Sequence, residues 1–123
     1  MGGMDITHTH AGALRTRLEL SAKLFRGFAD PSRLSLLAAL REGERCVSEL
    51  IEATALTQSN VSGHLACLKE CGLVVSRQDG RFVYYRLADP QVDTVLSAAD
   101  VVLLRHADRI AACINYNVPG EDA

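Results

Sequence analysis

Tryptophan is absent from this 123-residue chain and aromatic residues make up only 5% of it, so any core must be mostly aliphatic. No apolar run approaches the ~18 residues that a membrane-spanning helix needs, and the N-terminus lacks the basic-then-apolar order of a secretory signal. Both absences lead to the expectation of a soluble, cytoplasmic protein with no membrane partner. Cys-x-x-Cys, a Gly-rich phosphate loop and a Cys-His-Asp constellation are also missing, which argues against an enzyme. Excess positive charge is lacking as well. The formal net charge is −2, whereas gripping DNA phosphates requires Lys and Arg. Local distribution matters more than the total. Residues 57–86 carry a net +2, from Lys69, Arg77, Arg81 and Arg86 against Glu70 and Asp79.

A hydrophobic content of 48% with 23% charged residues describes one globular domain. Residues 1–12 are polar and aperiodic and read as a flexible arm, in which His8 and His10 are more simply tail residues than ligands. The folded domain is expected over 13–115, followed by a tail at 116–123. Leu14, Leu18, Ala22, Phe25 and Ala29 recur at spacings of three and four, which predicts a first amphipathic helix. Asp30-Pro31 starts a second, since Asp caps a helix N-terminus and Pro suits its first position. Gly43 ends it. A short third helix follows over about Val47–Ala53, and Thr57 caps a fourth that runs to Cys71-Gly72.

Two β-prone runs, 73–77 and 82–87, flank Gln78-Asp79-Gly80-Arg81, a hairpin signal. After Pro90 a long last helix is expected, from Val92 to about Ile114. It is apolar around much of its circumference, so a second copy of the chain is the economical cover. The fold expected is therefore mainly α with a β-hairpin wing: a dimeric winged helix-turn-helix with the hairpin between the fourth and fifth helices.

Within that fold the fourth helix would read DNA. Gln58, Ser59, Asn60 and Ser62 sit at its N-terminal end, where such side chains reach base edges. Gln and Asn can contact adenine bidentately, and Ser serves bases or phosphates. Arg77 and Arg81 near the hairpin tip would meet the backbone or minor groove. The partner expected is double-stranded operator DNA. Further along the helix, Cys67 and Cys71 stand four apart and so share a face. They could hold a soft metal ion, or they could be small buried residues of a core.

Three segments in order carry a resemblance: Ala29-Asp30-Pro31-Ser32-Arg33-Leu34, Ser59-Asn60-Val61-Ser62-Gly63-His64-Leu65, and Gly80-Arg81-Phe82-Val83-Tyr84-Tyr85. Over roughly residues 20–115 the chain resembles the ArsR/SmtB family of bacterial metal-responsive repressors. The resemblance implies a homodimer that binds its operator metal-free and releases it on binding an inducer. His64-Leu65-Ala66-Cys67-Leu68-Lys69-Glu70-Cys71-Gly72 is most similar to the cadmium- and lead-sensing, CmtR-like branch. That branch takes a third thiolate from the C-terminal region, a position that Cys113 matches. The resemblance thus implies Cd(II) or Pb(II) on Cys67, Cys71 and Cys113, with Zn(II) possible.

Other family sites are incomplete. Ser48 stands where a second Cys would accompany Cys46. Val95 and Arg109 stand where ligands would join Asp93 and His106. A rival reading keeps the fold and makes the thiols redox sensors, although cysteines four apart on an unbroken helix suit a disulfide poorly.

Overall fold

Helix boundaries in this chain fall where short polar side chains can take up the free N–H groups of a first turn. A computed structural model describes residues 11–113. It contains α1 (Ala11–Phe28), α2 (Pro31–Leu40), β1 (Arg45–Cys46), α3 (Val47–Thr54), α4 (Gln58–Glu70), β2 (Val74–Asp79), β3 (Phe82–Leu87) and α5 (Pro90–Ala112). Asp30 caps α2 by accepting from the Arg33 N–H at 2.9 Å. Thr57 caps α4 through the Asn60 N–H at 3.1 Å, and Asp89 caps α5 through the Gln91 N–H at 2.8 Å. Each satisfies a donor that the helix itself leaves unpaired.

The fold is the expected winged helix-turn-helix, with three departures in detail. The first helix begins by Ala11, inside the segment assigned to the arm; most of that arm and the tail at 116–123 lie outside the described residues. The wing has a third strand, with sheet order β1-β3-β2, all antiparallel. In it Arg45 pairs with Tyr85 and Cys46 with Tyr84. The hairpin loop is also tighter than expected: Asp79 pairs directly with Phe82, leaving only Gly80 and Arg81 between the strands. Gly80 alone has positive φ (63°), the placement of a type II′ turn, which matches the right-handed strand twist.

The core is aliphatic, as the composition requires. Leu36, Leu37 and Leu40 of α2, Leu50 of α3, and Val61, Leu65 and Leu68 of α4 are buried together with Leu73, Val74, Val92 and Leu96. Outside this core lie α1, apart from Phe28 at its end, and the second half of α5. Gly27 is the only buried residue of α1. Leu14, Leu18, Leu20, Leu24 and Phe25 remain exposed there, as do Val101, Val102, Leu103 and Leu104 on α5, Leu104 at 86%. The α5 backbone leaves helical geometry at His106 (φ −131°, ψ 16°) and is capped by Cys113.

The turn between α3 and α4 depends on Ala55, the C-cap of α3, whose φ of 62° is left-handed. An L-residue there costs about 1–2 kcal/mol, and glycine has no such penalty. Ala55→Gly should therefore raise the melting temperature by about 2–5 °C in a calorimetric scan; a fall would show that the Ala55 methyl group contributes packing that outweighs the strain.

Candidate DNA-reading helix and thiol cleft

One helix, α4, carries both candidate sites because its apolar stripe is narrow. Val61, Leu65 and Leu68 are fully buried, which fixes the rotation of the helix and turns its remaining circumference outward. At the N-terminal end Gln58, Ser59, Asn60 and Ser62 are all exposed, the presentation expected of base-reading side chains. The helix N-terminus adds its positive dipole end at the same place.

The wing arginines have different roles. Arg81 sits in the two-residue turn with its guanidinium 5.8 Å from the Phe82 ring centroid, and it has no ion-pair partner among the described residues. Arg77 is engaged instead. Its Nε and Nη2 donate to the two carboxylate oxygens of Glu44, each at 2.7 Å, and its guanidinium lies 5.0 Å from the Tyr84 ring centroid. Arg77 is thus a strut between the wing and the loop after α2.

At the other end of α4, Cys67 and Cys71 are both exposed. They line an open cleft of about 560 Å³ between α4 and α1, together with Leu20, Lys23, Arg26 and Arg33. The helices approach closely at Gly27: a Cβ there would lie 2.9 Å from Leu73 Cδ1 and 3.9 Å from Cys71 Sγ. Burial pushes the Cys71 thiol up; the charge of Cys67 and a hydrogen bond that Cys71 donates to it act in the same direction, while Arg33 opposes them. Two soft donors converging on one cleft fit a thiophilic cation. The third does not join them within the chain. Cys113 is exposed at the end of α5, and no group of three potential ligands forms among the described residues.

The incomplete family sites prove to be otherwise occupied. Cys46 is buried, its Sγ 3.2 Å from Ser48 Oγ, and its N–H donates to Glu49 Oε1 at 2.9 Å to start α3. Asp93 accepts from Arg41 Nε, and the same guanidinium donates to Asp100 at 3.0 Å and Ser97 at 2.7 Å. His106 sits at the break in α5. His8 and His10 lie outside the described residues.

This arrangement of helices and wing has counterparts among known proteins. Residues 30–76 match the family model described as bacterial regulatory protein, arsR family. A probable mercury resistance operon repressor from Streptomyces lividans is 37% identical over 106 residues, which cover 86% of this chain and 83% of that protein. The chain belongs to the arsR family. The regulator CmtR of Mycobacterium tuberculosis is 45% identical over 83 residues, 68% of this chain and 70% of that one. Among solved structures, a homodimeric winged helix-turn-helix DNA-binding domain from Mycobacterium bovis superposes with a TM-score of 0.70 at 31% identity, covering 89% of this chain and 95% of that one.

This arsR-family chain is accordingly a DNA-binding transcriptional regulator and not an enzyme. The family match spans α2 through the start of β2, and so includes both cysteines of α4. None of the described helices is long and apolar enough to cross a membrane. Reading the sequence did not single out Arg33 or Gly27 as parts of the cleft. The one available signal was a cation placed just beyond the end of a helix, where it can cap carbonyls.

Hydrogen bonding to Arg77 holds the Glu44 carboxyl below its ordinary range. A carboxylate depressed in the folded state contributes stability above its unfolded pKa, and that contribution is lost as pH falls through the folded value. Wild type should therefore melt above Glu44→Gln at pH 7, and the two curves should converge below the usual carboxylate range. A gap that persisted at acid pH would remove the ion pair as its cause.

Proposed function

We propose that the protein is a homodimeric, cytoplasmic repressor that holds operator DNA when metal-free and lets go when Cys67, Cys71 and Cys113 ligate Cd(II) or Pb(II). The observation that carries this reading is the pair of exposed thiols at one end of α4, the helix whose other end presents Gln58, Ser59, Asn60 and Ser62. The exposed leucines and valines of α1 and α5 would be covered by a second copy. A dimer suits operator recognition, because two reading helices then address two half-sites.

In the DNA-bound state Gln58 and Asn60 would contact bases, Ser59 and Ser62 bases or phosphates, and Arg81 the backbone or minor groove beside the wing. Arg77, tied to Glu44, would hold the wing's angle rather than add a phosphate contact. When bound, the soft cation ties thiolates from separate elements together. Because one protomer's described residues do not gather three donors, Cys113 would complete the site across the dimer. Ligation would then hold the C-terminal end of α4 against the partner and favour a dimer geometry that fits the operator poorly. Zn(II) is a harder candidate for an all-thiolate set. Hg(II) is a second reading for the same thiols, favoured by the name of the Streptomyces relative.

The test is anaerobic titration with Cd(II), Pb(II), Zn(II) and Hg(II), following sulfur-to-metal absorption and binding to a duplex selected by the metal-free protein. Cys67→Ser and Cys71→Ser should bind DNA as wild type does and lose metal-induced release. Gln58→Ala should lose roughly 5- to 100-fold in DNA affinity, and Arg81→Ala should lower the salt slope by about one, both with metal response intact. Normal release of Cys71→Ser by Cd(II) would falsify the site, and release by peroxide alone would favour a redox sensor.

A further inference from the structure

We propose that Arg33 transmits occupancy of the thiol cleft to α1, by giving up the α1 carbonyls it holds in the metal-free protein and turning to the ligated thiolates. This inference rests on the metal-responsive reading above. Arg33 Nε donates to Gly27 O at 3.0 Å and Nη2 to Arg26 O at 2.7 Å. One guanidinium thus fastens the end of α1 to the start of α2. The same side chain lines the cleft that holds Cys67 and Cys71.

The energetics favour an exchange of partners. Cysteines that hold a metal do so as thiolates, and three thiolates around a divalent cation leave one net negative charge. A guanidinium bonds more strongly to an ionised acceptor than to a neutral carbonyl. Lys23 and Arg26 also line the cleft and could take up that charge, but in the metal-free protein Arg33 alone of the three holds α1 backbone carbonyls.

The consequence for α1 follows from how little else holds it. Its only fully buried residue is Gly27, packed against Leu73 and Cys71, and only Phe28 at its very end packs, half-buried, against the core. Loss of the Arg33 hydrogen bonds would therefore loosen the end of α1 and tilt its exposed apolar face. If that face lies in the dimer interface, the spacing of the two reading helices changes with it. Arg33 is a positioning residue in this scheme and contacts neither DNA nor cation.

Hydrogen exchange on the intact wild-type protein, with and without Cd(II), tests this directly. Amides from Phe25 to Ala29 should exchange severalfold faster once Cd(II) is bound; unchanged or slower exchange overturns the proposal. In Arg33→Gln those amides should exchange fast already without metal and gain nothing from Cd(II). That variant should keep the Cd(II) stoichiometry and absorption of wild type. Its Cd(II)-dependent loss of affinity for the selected duplex should shrink to less than about threefold, against the roughly 5- to 150-fold usual for coupled sites. A ratio equal to that of wild type would assign the charge to Lys23 or Arg26 and overturn the role of Arg33. Wild type that develops no sulfur-to-Cd(II) absorption would refute the metal reading itself and the inference with it, whereas absorption with unaltered exchange refutes Arg33 alone.

Discussion

Burial of one stripe of α4 is the constraint from which the rest follows. Val61, Leu65 and Leu68 have no exposed surface, and each such side chain contributes about 1.5–3 kcal/mol by leaving water. With the helix rotation fixed, Gln58, Ser59, Asn60 and Ser62 face outward near one end of a 13-residue rod and the two cysteines near the other. A rod of that length spans about 20 Å at 1.5 Å per residue. Displacement of one end must therefore appear at the other, which suits a single helix to both reading and sensing.

Much of this was legible because it is local. Asp30-Pro31 and Thr57 announce helix starts through the chemistry of capping, and both caps are made as expected; Asp89 caps α5 in the same way. Gly72 and Gly80 mark positive-φ positions that the sequence advertises openly. What escaped is of two kinds. The β1 strand has only two residues and pairs with Tyr84 and Tyr85 across some forty residues of chain, so no periodicity reveals it. Ala55 adopts a left-handed conformation without the glycine or asparagine that normally signals one.

The second kind is long-range electrostatics, which spacing cannot disclose. Arg77 reads as a DNA contact from its place near a hairpin tip, and only the fold brings Glu44 against it. Arg41 shows the same effect at α5. Its guanidinium binds Asp93, Ser97 and Asp100 on successive turns, so a carboxylate at a position the family can use for a metal is already satisfied by an internal cation. The sequence discloses that ligands are missing there. The structure adds that the remaining carboxylate is committed to holding α5 against the end of α2.

These arginines divide the labour of a small domain whose aliphatic core does not reach its outermost helices. Arg33 fastens α1 to α2, Arg41 fastens α5 to α2, and Arg77 fastens the wing to the loop after α2. All three attach a peripheral element to α2 or to the loop that follows it, by charge-assisted hydrogen bonds at exposed or half-buried positions. Such bonds are directional and individually modest in water, so the attached elements can be re-aimed at small cost while the leucine core stays intact. A rigid body carrying adjustable attachments is what a two-state regulator requires. The thiol cleft opens beside the Arg33 attachment, the one that controls a helix with only a glycine buried. A charge change at Cys67 and Cys71 would act there on a helix that the leucine core barely holds.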